Sequence, residues 1–109
     1  MTLLIVMPTY NERPNIEKIS EAILAHSFTR LLVVDDASPD GTGRMADDLA
    51  ARYPGRLEVM HRSGPRGLGL AYVDGLRHAL AQNVDAIGQM DADFSHDPKY
   101  IPEIGRAHV

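Results

Sequence analysis

Cysteine and tryptophan are both absent from the 109 residues. Without cysteine there is no disulfide and no thiolate metal site, and the redox compartment is left open. Long hydrophobic runs are missing as well. The first apolar run, Leu3 to Met7, falls far short of the roughly 20 residues of a membrane-spanning helix. It is also too short for the core of a secretory leader and has no basic start, so the expected location is cytoplasmic. Positive charge is not in excess either. The net charge is −4 with both signs scattered, which argues against the basic footprint of a nucleic-acid binder. What is present is a 44% hydrophobic fraction, enough for a packed core, so residues 1–109 read as one small ordered domain.

In order, the chain alternates between two kinds of segment. Leu3 to Met7 is a continuous apolar run stopped by Pro8, the pattern of a strand buried on both faces. Asn11 or Glu12 stands before a helix with Pro14 in its first turn, and Asn15 to His26 carries Ile16, Ile19, Ile23 and Leu24 at helical spacing. Arg30 to Asp36 is a second buried strand that ends in two acids. Ala37 to Thr42 is turn chemistry, with Ser38-Pro39-Asp40-Gly41 at its centre. A helix is expected from about Thr42 to Tyr53, a weaker strand over Leu57 to Met60, and a mobile glycine-rich loop from Arg62 to Gly69. Leu70 to Gln82 reads as a helix with Val73, Leu76 and Leu80 on one face. Asp85 to Met90 is a fourth strand, and Asp97-Pro98 opens a last short helix. Four strand-helix units in succession predict an α/β fold, a Rossmann-like parallel sheet with helices on both faces.

In such sheets ligands bind outside the carboxyl ends of the strands. Three of those ends carry polar clusters: Tyr10 to Glu12, Asp35 with Asp36, and Asp91 with Asp93. Asp91 and Asp93 are one residue apart after a strand, so a turn can aim both into one space. Paired carboxylates oppose each other's ionisation unless a cation neutralises them. A hard divalent ion, Mg2+ or Mn2+, shared with substrate phosphates answers that need. Tyr10 can stack on a base. Glu12 either accepts from a base or sugar edge or belongs to the helix cap. Asp36 suits a ribose hydroxyl or staples its loop, Asp35 ties the loop backbone, and Asp40 caps or turns. Arg62 or Arg66 can neutralise a diphosphate or remain solvated. Gly67-x-Gly69 lacks the third glycine of a dinucleotide fingerprint, because Tyr72 stands there, and no P-loop is present. His96 is a candidate third metal-side group or a hydrogen-bond partner of its loop. His26, His61, His78 and His108 show no partner pattern and read as surface residues.

Pro8-Thr9-Tyr10-Asn11-Glu12, Val33 to Thr42, Gly67-Leu68-Gly69-Leu70-Ala71 and Met90 to His96, in this order and spacing, resemble family 2 glycosyltransferases. The similarity is greatest to the polyprenol-phosphate (dolichol-phosphate) mannosyltransferase branch. The resemblance implies a GT-A fold, GDP-mannose as donor, a polyprenyl phosphate acceptor at a membrane surface, inversion at the sugar carbon and a divalent metal. By position, Pro8, Tyr10, Glu12, Val34 and Asp36 would hold the guanosine part. Asp91 and Asp93 would hold the metal, with Ala92 lining the diphosphate and Ser95 as the site of a third metal ligand or water. Family members are longer, so the chain reads as a truncated, nucleotide-sugar-binding half. That expectation extends to peripheral attachment at the cytosolic membrane face and self-association through an open sheet edge.

Other readings remain. A non-catalytic nucleotide-sugar-binding fragment fits the length, and UDP-glucose is the other donor of the wider family. A response-regulator receiver would place the Asp35-Asp36 strand first in the domain, but here a strand and a helix precede it. A nucleotidyltransferase would need a glycine- and arginine-rich first loop.

Overall fold

The computed structural model describes residues 1–93. Seven elements alternate: β1 (Leu3–Thr9), α1 (Arg13–Leu24), β2 (Thr29–Asp35), α2 (Thr42–Arg52), β3 (Leu57–His61), α3 (Leu68–Leu80) and β4 (Ala86–Gln89). All strands run parallel in the order β3-β2-β1-β4. The expected last helix at Asp97 lies outside the described residues. The chain steps outward from β1 to β3, then crosses back over β2 and β1 to lay β4 on the far side. Crossovers of one hand that travel in opposite directions put their helices on opposite faces. Thus α1 and α2 cover one face and α3 the other. Between β1 and β4 the strand order reverses, and the sheet opens a crevice there at its carboxyl edge.

The central strands are apolar on both faces because both faces are covered. Leu3, Ile5, Met7, Leu31 and Val33 meet Ile16, Ile19, Ile23 and Leu49 of α1 and α2. Leu4, Val6, Leu32 and Val34 meet Ala71 and Ala79 of α3. Helix α1 starts at Arg13, directly after Glu12 and with Pro14 in its first turn as the sequence indicated, where no N–H partner is needed. It stops at Leu24, not His26. There Thr29 Oγ1 donates to the Ile23 and His26 carbonyls, both at 2.7 Å, and turns the chain into β2. At this amino edge Arg56 also donates to the carbonyls of Leu24, His26 and Thr29 at 3.0, 2.8 and 2.8 Å.

Helix α3 corrects the sequence reading twice. It begins at Leu68, not Leu70, and its buried face is Ala71, Gly75 and Ala79. Val73 is exposed, Leu76 only partly buried, and Leu68 and Leu80 stand 62% and 68% exposed. The reason is distance. A Cβ on Gly75 would lie 2.7 Å from Val34 Cγ2 and from Val6 Cγ1, so only small residues let the helix sit this close to the sheet.

At the carboxyl edge the β1–α1 and β2–α2 loops are bonded to each other. Asp35 is buried and accepts from Thr9 Oγ1 at 2.8 Å, Ser38 Oγ at 2.6 Å and Ser38 N–H at 3.1 Å. Ser38 Oγ in turn takes the Asn11 N–H at 3.0 Å. The Glu12 N–H donates to Thr42 Oγ1 at 3.0 Å, and that hydroxyl donates to Asp40. Asp40 also accepts the N–H groups of Thr42 at 2.9 Å and Arg13 at 3.2 Å. Gly41 adopts φ 92°, as the Asp-Gly turn requires. These bonds hold Asn11 and Ala37 at φ 55°, a left-handed conformation that alanine adopts at a cost of about 1–2 kcal/mol. Asp35 and Asp40 thus take the staple and turn roles read from the sequence.

Two outcomes follow for stability. Gly75→Ala is expected to destabilise by about 1–3 kcal/mol, because the methyl has nowhere to go. Gly69→Ala, where a Cβ meets nothing within 4 Å, should be neutral or stabilising by up to about 1 kcal/mol. Urea denaturation distinguishes them. Burial opposes ionisation of Asp40, but the bonds from the Thr42 hydroxyl, the Thr42 N–H and the Arg13 N–H outweigh it and hold the carboxyl below its ordinary 3.8. A depressed folded-state value means stability that is complete above about pH 4 and lost as pH falls through that value. Asp40→Ala should therefore cost about 1 kcal/mol at neutral pH. The gap to wild type should close in acid, as urea midpoints measured from pH 7 down to pH 3 would show.

Candidate functional site: a carboxylate-lined cleft at the strand-order reversal

A cleft of about 340 Å³ opens at the crevice predicted by the topology. Pro8 and Tyr10 from the end of β1, Glu12 before α1, Asp36 after β2, and Asp91, Ala92 and Asp93 after β4 all line it. These residues, widely separated in sequence, are brought together by the parallel register, in which Thr9 pairs with Asp35 and Val6 with Gln89. Met90 N–H then donates to the Val6 carbonyl at 3.2 Å and carries β4's direction into the cleft. Val34 is not on the wall. Its side chain alternates to the α3 face and is fully buried against Gly75. Ser95, His96 and His108 lie outside the described residues.

Glu12 is the residue before α1, and its carbonyl accepts from the N–H groups of Asn15 and Ile16. Its side chain makes no capping bond to the backbone; its carboxylate accepts from Asn15 Nδ2 at 3.2 Å and lines the cleft. Cap position and cleft wall are therefore filled by one residue. Asp36 is buried, with its side chain 6% exposed. Its Oδ1 accepts from Arg62 Nη1 at 2.5 Å and its Oδ2 from the Gly67 N–H at 2.8 Å. Staple and cleft residue again coincide.

The wall also includes Thr9 at the end of β1, Arg66 and Gly67 just before α3, and Leu68 and Ala71 of α3. The segment expected to be a mobile loop is tied down at both ends, by Arg62 and by the Gly67 N–H on Asp36. Arg62 is not solvated. Its side chain is 8% exposed and its Nε donates to Asp74 Oδ2 at 2.8 Å. The Asp74 bond raises its already high pKa, burial works against that, and the charge of Asp36 adds to the rise. Arg66 is exposed, and its guanidinium lies 4.1 Å from the centroid of the Tyr10 ring and donates to the Tyr10 hydroxyl. Sequence inspection missed the burial of Arg62. The signal was in the register: Asp35 pairs with His61, which sets the next residue of β3 beside the next residue of β2. Two of the histidines read as unpartnered do have partners, His61 with Asp47 and His78 with Glu58, each at 2.8 Å and away from the cleft.

Among the described residues no group of three or more His, Cys, Asp or Glu gathers as a metal site. Asp91 and Asp93 bring two hard oxygen donors to one cleft. That set does not make a closed protein cage. It does fit a hard divalent ion that keeps waters and completes its shell with substrate phosphates.

Comparison with known proteins agrees with this architecture. The model of the family described as Glycosyl transferase family 2 matches residues 4–107. Polyprenol monophosphomannose synthase of Mycolicibacterium smegmatis is 44% identical over 102 residues, 93% of this chain and 38% of that protein. Undecaprenyl-phosphate mannosyltransferase of Micrococcus luteus is 42% identical over 108 residues, 95% of this chain and 43% of that protein. The chain thus spans less than half the length of these relatives. Among solved structures, mannosyltransferase PcManGT from Pyrobaculum calidifontis, in complex with GDP-Man and Mn2+, superposes with a TM-score of 0.73 at 30% identity, over 84% of this chain and 27% of that one. The Rossmann-like parallel α/β fold expected from the sequence holds, and the chain belongs to glycosyl transferase family 2.

Proposed function

We propose that residues 1–109 form the nucleotide-sugar-binding part of an inverting transferase that moves mannose from GDP-mannose to a polyprenyl phosphate. The observation that carries this reading is the convergence of Tyr10, Glu12, Asp36, Asp91 and Asp93, from three separate strand ends, on one cleft. The mannosyltransferase relatives and the GDP-Man complex of PcManGT support the choice of donor.

Each residue has a task in this reading. Tyr10 offers a ring face to the base, and Pro8 shapes the floor beneath it. Glu12 and Asp36 accept hydrogen bonds from the guanosine part. Val34, two residues before Asp36, is buried against α3 and leaves only its backbone to the guanosine part. Asp91 and Asp93 would hold Mg2+ or Mn2+, with Ala92 between them small enough to let phosphate approach; Ser95, proposed as a third ligand or the site of a water, lies outside the described residues. When bound, the cation supplies Lewis-acid stabilisation of the charge that develops on the leaving diphosphate. The acceptor phosphate is already an anion at neutral pH, so attack needs positioning more than a strong base. The acceptor lipid puts the reaction at a membrane surface, approached from the cytosolic side. No helix among the described residues is long and apolar enough to cross a membrane.

Calorimetric titration of GDP-mannose, GDP and UDP-glucose into the chain, with and without Mn2+, tests the reading. The guanosine ligands should bind in a metal-dependent manner. The Asp91→Ala/Asp93→Ala variant should weaken them by more than about tenfold, or about 1.4 kcal/mol. Preference for UDP-glucose would keep the fold and overturn the mannose assignment. Binding without turnover on adding a polyprenyl phosphate would reduce the chain to a binding fragment.

A further inference from the structure

Behind the cleft wall lies a buried guanidinium that the donor-site reading leaves without a task. Arg62 follows β3 directly, and its N–H donates to the Asp35 carbonyl at 2.9 Å. Its side chain reaches three groups from three parts of the fold: Asp36 Oδ1 at 2.5 Å, Asp74 Oδ2 on α3 at 2.8 Å, and the Pro65 carbonyl at 3.3 Å. A planar fork with fixed donor directions can serve all three at once, which a lysine ammonium on a flexible stem cannot. Asp74 is 43% exposed on its side chain and lies outside the cleft wall. It holds the guanidinium from the α3 side, so that Arg62 stays on Asp36 and away from the cleft.

The consequence falls on Asp36. Its two oxygens each take one bond from the protein, from Arg62 and from the Gly67 N–H. A carboxylate oxygen has two acceptor positions, so each oxygen keeps one for a ligand. We infer that Arg62 is a positioning residue for nucleoside recognition: it fixes the Asp36 carboxylate, buried at the strand end, in the orientation from which both oxygens accept donors of a nucleoside diphosphate. The inference rests on the donor-site reading above, and Arg62 itself touches no ligand. It acts through Asp36, with Asp74 as its anchor.

Action through another residue has a signature in a double-mutant cycle. GDP affinity in the presence of Mn2+ is measured by calorimetry for wild type, Arg62→Lys, Asp36→Asn and the double variant, with urea midpoints recorded alongside. Arg62→Lys and Asp36→Asn should each weaken GDP by about tenfold or more, as expected for hydrogen bonds to a charged group. The double variant should be no weaker than Asp36→Asn alone. Asp74→Asn, remote from the cleft, should reproduce the Arg62→Lys effect in smaller measure and vanish in the Asp36→Asn background. It carries the test if Arg62→Lys does not fold. Unchanged GDP affinity in the Arg62 and Asp74 variants overturns the inference and leaves the donor site standing. Losses that multiply in the double variant also overturn it, because they assign Arg62 a purely structural role. Failure of folded wild type to bind GDP overturns the donor-site reading, and this inference with it.

Discussion

The cleft depends on hydrogen bonds that tie one loop to another at the carboxyl edge of the sheet. Asp35 and Asp40 make them and do not line the cleft. Asp35 joins Thr9 at the end of β1 to Ser38, and Ser38 receives the Asn11 N–H. Asp40 joins Thr42 at the start of α2 to Arg13 at the start of α1. Loops of this kind would otherwise vary in height and direction. Laced together, they present Tyr10, Glu12 and Asp36 as one surface. A Cβ on Gly43 would stand 2.9 Å from Asp35 Oδ2, so α2 can begin this close only with glycine there. Pre-formed geometry matters because a ligand then loses less of its binding free energy to ordering the protein.

The same logic governs the opposite face. Gly75 lets α3 settle against Val6 and Val34, and this depth brings the Gly67 N–H at its start within 2.8 Å of Asp36. Asp74, one residue before Gly75, reaches Arg62 from the same helix. A core contact and a site contact are therefore consequences of one helix position. The two edges of the sheet divide the work: Arg56 ties down backbone carbonyls at the amino edge, and the carboxyl edge carries the acids.

Much of this was legible in the chain. Continuous apolar runs at Leu3 to Met7 and Leu31 to Val34 could only be strands covered on both faces, and the acids that follow them had to emerge at one edge. Ser38-Pro39-Asp40-Gly41 signalled its turn through local chemistry. The buried face of α3 was not legible, because periodicity marks large apolar residues. Here close approach selected Ala71, Gly75 and Ala79 and left Leu80 in solvent. Nor was the Arg62 bridge, whose partners are 26 and 12 residues away and meet only once the β2–β3 register is known. Val34 was placed with the site by resemblance, and strand alternation turns its side chain into the core instead.

The central claim is that the cleft at the strand-order reversal binds the nucleotide. Amide chemical-shift mapping of the isotope-labelled chain during titration with GDP and Mg2+ tests it most directly. The account predicts shifts at Tyr10, Glu12, Asp36, Gly67 and Ala92, with the amides around Arg56 at the amino edge unmoved. Shifts centred instead on the smaller pocket formed by Arg13, Arg44 and Asp48 would contradict it, as would an unchanged spectrum.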